Sequence, residues 1–253
     1  MSARASRTLT GALASACLVA TAALGSAGSA ASATPERPAV VDYMAFGHTV
    51  KGRVMRAWEI GDPNAATTVV VMATIHGNEP APRLIVRALR DGAPVTGVNM
   101  WLVPLANPDG FVRHTRKNAH GVDLNRNFPW RWARLYGSYY SGNKPASEPE
   151  TRALMRFFTQ VAPDYVVSFH QPLHGVDVST RKSRAFARRL ADALNLPRKN
   201  LTCGGLCHGT FTQWFNHKFP GVAVTAEYGA HPSRHRMVVV APRQLLHLFG
   251  AHR

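Results

Sequence analysis

"TTVVVMATIHGNEPAP", residues 67–82, decides how the chain is read. Its first half, Thr67 to Thr74, is an unbroken apolar and β-branched run, the mark of a strand covered on both faces. Its second half sets His76, Asn78 and Glu79 directly beyond that strand. Polar side chains at such a point are costly to bury without partners, so the same stretch poses both a fold and a site.

The neighbouring segments follow the same alternation. "APRLIVRALRDG" has helical spacing and stops at Gly92, and "VNMWLVPL" (Val98 to Leu105) is a second buried strand. "SEPETRALMRFFTQVAP" is expected to be a helix opened by a capping box, Ser147 with Glu150 three residues on. "DYVVSFH" (Asp164 to His170) is a third strand, "RAFARRLADALNLP" an amphipathic helix, "GVAVTAEYG" (Gly221 to Gly229) another buried strand and "PRQLLHLFGAH" a closing helix. Buried strands alternating with helices predict an α/β fold: a single domain with a mostly parallel, mixed β-sheet and helices on both faces. Ligands of such sheets bind beyond the carboxyl ends of the strands. His76 and Glu79, His170 and Glu227 all fall there.

The chain's 253 residues and 45% hydrophobic content suit one such domain with a sizeable core. Residues 1–33 read as a secretory signal peptide: Arg4 and Arg7, the apolar stretch Leu9 to Leu24, and the small-residue site "ASA" at Ala31 to Ala33. The competing reading is a membrane anchor, against which the stretch is Ala/Thr/Ser-rich and short. Residues 34–253 would then be the catalytic domain, secreted or associated with the cell envelope, with no propeptide-sized segment ahead of it and no membrane span after signal removal. Without Arg4 and Arg7, 28 Lys and Arg face 14 Asp and Glu, a net charge of +14 (+16 less 2). That excess favours anionic surroundings. The basic residues are scattered and no nucleic-acid motif is visible, so an anionic cell wall is preferred over nucleic acid as a partner, beside the plainer reading of a solvated basic surface. Of the cysteines only Cys203 and Cys207, in "LTCGGLCHG", survive processing. A disulfide is preferred to half a metal site, because no second cysteine pair would complete a thiolate cage.

Two imidazoles and a carboxylate with an open position make a catalytic zinc site, and His76, Glu79 and His170 can supply them. Each is weak alone. Between Glu79 and His170 lies "LANPDGFVRHTRKNAHGVDLNRNFPWRW" (Leu105 to Trp132), too rich in Asn, Asp and Arg for ordinary loop filler. With "HGNE", "NPDGF", "TRKN", "GVDLNRNFP", "SFH" and "TAEYG" in order, the chain resembles the M14 family of zinc carboxypeptidases from about Phe46 to Tyr228.

The resemblance implies one zinc ion per chain, held by His76, Glu79 and His170. It implies that Asp123 steadies the far nitrogen of His76, that Glu227 is the general base and acid, and that Arg116 stabilises the oxyanion, with Arg113 as competitor. Asn125 and Arg126 would hold a terminal carboxylate. Digestive members cap the substrate with a tyrosine, yet none stands between Tyr165 and Tyr228, which leaves Phe211, Trp214 or His208 for that wall. "GVDLNRNFP" with the later "HQPLHGVD" looks closest to the bacterial branch that cuts γ-D-glutamyl-diaminopimelate bonds in murein peptides, and Asp177 is a candidate to meet a substrate amine. A carboxypeptidase trimming secreted or nutrient peptides is the alternative, followed by an N-acyl amino acid deacylase of the aspartoacylase and desuccinylase kind and by a wall-binding module with a relic site.

Overall fold

The computed structural model describes residues 39–253. The signal-peptide reading of residues 1–33 lies outside them. The strands are β1 Val40–His48, β2 Val54–Gly61, β3 Thr68–Ala73, β4 Asn99–Val103, β5 Tyr165–His170, β6 Leu173–Asp177, β7 Arg198–Lys199 and β8 Val222–Gly229. The helices are α1 Arg83–Arg90, α2 Pro108–Val112, α3 Pro149–Val161, α4 Arg184–Leu194, α5 Phe211–Lys218 and α6 Ala241–Leu248.

One sheet contains all eight strands in the order β1-β2-β4-β3-β5-β8-β6-β7. Its centre, β4-β3-β5-β8, is parallel, whereas the β1-β2, β2-β4 and β8-β6 pairs are antiparallel. The opening stretch explains the layering. Val69, Val71 and Ala73 point into a core with α1, α4 and α6, and Val70 and Met72 point into a second core with α3 and α5. Period-two alternation feeds both cores from one fully buried strand. The second core is strongly aromatic, with Phe157, Phe158, Phe211 and Phe215 each at most 1% exposed. Burying each such side chain contributes about 1.5–3 kcal/mol.

The same alternation builds the site. On β5, Val166 lies in the α3/α5 core and Ser168 and His170 continue that face; on β8, Ala223 does the same and Thr225 and Glu227 follow. Parallel register pairs Ser168 with Thr225 and His170 with Glu227. Each strand is therefore apolar where α5 covers it and polar at its carboxyl end.

Two expectations are corrected here. The capping box of α3 does not form: Glu148 is the N-cap, without a side-chain capping bond, and Pro149 opens the helix. Ser147 Oγ instead donates to Glu148 Oε1 at 2.7 Å, while Glu150 accepts from the Val50 amide at 3.1 Å and from Asn118 Nδ2 at 3.0 Å. Tertiary partners outcompete the local cap. Phe211 and Trp214, offered as a substrate wall, are core residues at 1% and 2% exposure, since the helix α5 that carries them turns its aromatic face to the sheet. Helix α1 ends at Arg90 with Asp91 as its C-cap, directly ahead of Gly92.

Candidate active site

The residues 74–80 leave β3 as a loop that is held from two sides. Asn107, the N-cap of α2, donates through Nδ2 to Ile75 O at 3.2 Å and Arg116 O at 3.4 Å, and accepts from Gly110 N at 2.9 Å. A side chain on Gly77 would lie 1.9 Å from the Gly110 carbonyl carbon, so the H-G-N-E turn requires glycine there. Asp109, fully buried, accepts from Thr49 Oγ1 and Lys51 N, both at 2.9 Å, and from Arg53 Nη1 at 2.6 Å. "NPDGF" is thus a bracket that fixes the loops bearing His76 and Arg116. From the other side Gln171 accepts from Ala81 N at 3.0 Å and donates to Gly229 O and Ala230 O at 3.2 and 2.9 Å.

So held, His76, Glu79 and His170 converge, all at most 6% exposed. Glu79 Oε1 lies 2.6 Å from His76 Nδ1 and Oε2 lies 2.9 Å from His170 Nδ1, with the two Nδ1 atoms 3.3 Å apart. One ligand atom from each residue falls within 4.8 Å of the others. Nδ1 of both rings faces the carboxylate, and the far nitrogens are backed by other groups: His170 Nε2 by Ser168 Oγ at 3.2 Å, His76 Nε2 by Asp123 Oδ1 at 3.3 Å. The latter contact lacks the alignment of a hydrogen bond, leaving His76 Nε2 buried without one. Burial opposes a charge on His76, but Glu79 and Asp123 outweigh it and push the imidazole up to about 9. Burial likewise resists ionisation of Glu79 and Asp123, yet the neighbouring imidazoles hold both carboxyls far below their ordinary range. The cluster is built for a positive charge, and its two nitrogens and one carboxylate fit zinc.

Asp123 also serves Arg116, accepting from Nε at 2.9 Å and Nη2 at 2.8 Å, which leaves Arg116 Nη1 3.3 Å from His76 Nδ1 and 3.9 Å from Glu79 Oε1. Asp123 Oδ1 additionally accepts from Asn125 N at 3.0 Å, so the same carboxylate also shapes the turn that leads into Asn125. Arg113, the competitor, is exposed on a neighbouring surface depression with Lys117 and His120 and does not reach this cavity.

A cavity of about 370 Å³ opens from the cluster, lined by Arg116, Asn125, Arg126, Tyr139 and Glu227 together with Asp177 and the Cys203–Cys207 loop. Glu227, 7% exposed, accepts through Oε2 from Leu173 N at 3.1 Å. Asn125 Oδ1 accepts from Phe211 N at 2.9 Å. Arg126 is 3% exposed; its Nη1 donates to Asn125 O at 2.7 Å and its Nε is buried with no partner. Burial pulls its guanidinium below the usual arginine range, with Asp123 opposing at longer distance and Arg116 adding to the effect. Among the described residues it has no carboxylate within ion-pair distance, the condition expected of a receptor for an external carboxylate.

The family model for zinc carboxypeptidases, M14, matches residues 30–177. The chain belongs to the zinc carboxypeptidase family. Among curated relatives, murein peptide amidase A of Escherichia coli K12 is 35% identical over 160 residues, 57% of this chain and 64% of the relative. Murein peptide amidase A of Vibrio campbellii is 31% identical over 142 residues, 51% of this chain and 56% of that one. The matched region thus spans under two thirds of these relatives. Among solved structures, murein-tripeptide amidase from Escherichia coli O157 superposes with a TM-score of 0.67 at 27% identity, covering 83% of this chain and 92% of its own. Carboxypeptidase A from Helicoverpa armigera also gives 0.67, at 17% identity, covering 84% and 68%, a likeness of fold alone.

In this member of the zinc carboxypeptidase family the structure brings together His76, Glu79, His170, Asp123, Glu227, Arg116, Asn125 and Arg126, eight of the candidates named from sequence. Cys203 and Cys207 are joined as a disulfide, with Cα atoms 5.3 Å apart. Three residues escaped the sequence reading. Ser168 was accessible to it, since "SFH" puts Ser168 on the face of His170. Tyr139 lies ahead of the interval from Tyr165 to Tyr228 where an aromatic was sought, with Arg126 Cζ 5.0 Å and Arg116 Cζ 5.3 Å from its ring centre. Its loop carries no pattern that would have announced it. Gln171 hides as an ordinary residue after the strand. His208, the third candidate for that wall, is not among the cavity-lining residues.

Proposed function

We propose that the chain is an exported zinc-dependent peptidase that cleaves beside a free terminal carboxylate in murein peptides, at a γ-D-glutamyl–diamino acid bond. The observation that carries the reading is the single cavity that combines a His/Glu/His cluster, the carboxylate of Glu227 and the unpaired guanidinium of Arg126. The murein peptide amidase relatives support the substrate class, and the charged N-terminal start, apolar stretch and small-residue site support export.

His76, Glu79 and His170 would hold the zinc, with Asp123 and Ser168 orienting the two rings. When bound there, zinc would act as a Lewis acid that polarises the scissile carbonyl and lowers the pKa of water. Glu227 takes the proton of the attacking water on its carboxylate and returns it to the leaving nitrogen, its Oε2 fixed by the Leu173 amide. Arg116, clamped by Asp123, presents Nη1 to the negative charge developing on the carbonyl oxygen. Arg126 and Asn125 bind the terminal carboxylate, which sets which bond lies before Glu227.

Incubating zinc-loaded protein with a panel of muropeptides and α-linked peptides, and reading products by mass, tests this. Release of the diamino acid from γ-D-glutamyl peptides is expected. Cleavage confined to α-linked peptides would favour the conventional carboxypeptidase, and hydrolysis confined to N-acyl amino acids would favour the deacylase.

A further inference from the structure

The stretch "SEPE", residues 147–150, has no part in the chemistry of Glu227, Arg116 and Arg126, yet it buries two carboxylates. Glu148 is 4% exposed and Glu150 fully buried, and both reach the same side chain. Asn118 Nδ2 donates to Glu148 Oε2 at 2.7 Å and to Glu150 Oε2 at 3.0 Å, while Asn118 Oδ1 accepts from His120 N at 3.1 Å and Val122 N at 3.0 Å. Both protons and both lone pairs of a buried amide are thereby used. The carboxylates are held in turn: Glu148 Oε1 accepts from Ser147 Oγ at 2.7 Å, its Oε2 lies 2.8 Å from His120 Nδ1, and Glu150 Oε1 accepts from the Val50 amide at 3.1 Å.

Closing a turn needs less than this. Asn118 N also donates to Val122 O at 2.9 Å and Gly121 N to Asn118 O at 3.0 Å, so the backbone already closes the turn 118–122. Buried carboxylates are costly to keep, and that closure does not require them. What they add is a tie from the turn to the start of α3, a helix whose Phe157 and Phe158 are packed in the aromatic core. The turn lies between Arg116 and Asp123, and it is the contact of these two that leaves Arg116 Nη1 3.3 Å from His76 Nδ1. On its other side Arg116 is fixed through its carbonyl, which accepts from Gly77 N at 3.3 Å. Arg116 is therefore held between the loop that carries His76 and Glu79 and, through Asn118, a helix of the core. Groups held from rigid elements keep the geometry that a reaction needs.

We infer that Asn118, braced by Glu148 and Glu150, is a positioning residue that fixes the turn setting Arg116 against Asp123 and so directs Nη1 at the oxyanion of the transition state. The inference rests on the peptidase reading for what Arg116 stabilises. Asn118 does not line the cavity that opens from the His/Glu/His cluster and acts through Arg116. Its loss should therefore be felt in the chemical step more than in substrate binding.

The test uses Asn118→Asp, which keeps an acceptor for the His120 and Val122 amides but replaces the donor to Glu148 and Glu150 with a third carboxylate. In zinc-loaded protein, kcat on a γ-D-glutamyl-diamino acid peptide should fall roughly 10- to 100-fold, the cost of a misplaced group, while KM stays within about threefold. The loss should disappear in an Arg116→Ala background, where nothing is left for Asn118 to place. Glu148→Ala, which leaves Glu150 to hold Asn118, should show a smaller loss with the same dependence on Arg116, and it carries the test if Asn118→Asp does not fold. A readout independent of hydrolysis is the Arg116 Nε proton, which is donated to Asp123 at 2.9 Å. In nitrogen-15 NMR of metal-free protein it should exchange with solvent roughly 10-fold faster in the variant than in wild type. Unchanged exchange, full turnover, an effect in KM alone, or a loss that persists undiminished without Arg116 overturns the positioning role. The two readings fail separately. Absence of hydrolysis by the wild-type protein would overturn the peptidase, whereas faster Arg116 exchange in the variant would still uphold the placement of Arg116 by Asn118.

Discussion

Replacing Arg126 by alanine should cripple catalysis while leaving the fold nearly as stable as before. Arg126 is 3% exposed, its Nε has no partner, and among the described residues its one side-chain hydrogen bond runs from Nη1 to the neighbouring Asn125 carbonyl. Losing one such bond and the contact with Tyr139 is offset by relief of a buried, unpaired cation, so a stability change within about 1 kcal/mol is expected. Transition-state binding is different. A substrate carboxylate left buried without its cation costs about 2–5 kcal/mol. At 1.36 kcal/mol per tenfold, kcat/KM should fall roughly 30- to 5,000-fold. The assay compares a peptide having a free carboxyl terminus with its amide, in wild type and variant, alongside thermal melting. Amidation should hurt the wild type far more than Arg126→Ala. Equal sensitivity in both proteins would refute the carboxylate-anchor role, and a large loss of stability would show that Arg126 is structural.

His170→Ala should lose zinc by metal analysis, and Ser168→Ala should weaken zinc affinity by roughly 10-fold or more, since supporting bonds orient ligand rings; undiminished occupancy in His170→Ala would exclude the assigned ligand set. Metal-free protein should lose stability as pH rises through about 9, because His76 is raised from 6.5 to that value, so its contribution is complete below 6.5 and vanishes above the folded value. Melting of chelator-treated protein between those limits checks this, and a flat profile would contradict it. Denatured, unreduced protein should titrate no free thiol at Cys203 and Cys207, and the bridge should add roughly 2 kcal/mol or less because the loop it closes is short; two free thiols would contradict the pairing.

The central fold was legible because its strands are buried on both faces, and a run such as Val69 to Met72 has no other use. The zinc cluster was legible for the same reason: His76, Glu79, His170 and Glu227 each interrupt or follow such a run at its carboxyl end. The β1-β2 hairpin was not read, since the burial of β1 alternates irregularly and its register slips between Val40 and Asp42 and between Ala45 and Gly47. Helix α5 and the short β6 and β7 strands were also passed over; α5 is eight residues long and β7 two, too short for period alone to declare them. Glu150 shows a different limit. Its spacing from Ser147 fits a cap, but Val50 and Asn118 arrive from distant chain segments and take its oxygens, a competition that local sequence does not contain. Tyr139 likewise acquires meaning only from the two arginines the fold sets beside it.

The division of labour between metal binding and proton transfer is tested most directly by Glu227→Gln, which keeps size and polarity and removes the base. Zinc stoichiometry and turnover of a γ-D-glutamyl-diamino acid peptide should be measured on the same preparation. One zinc per chain with turnover reduced by about 10² or more is the predicted result. Full turnover in Glu227→Gln, with zinc in place, would leave the proposed peptidase without its base and contradict the account.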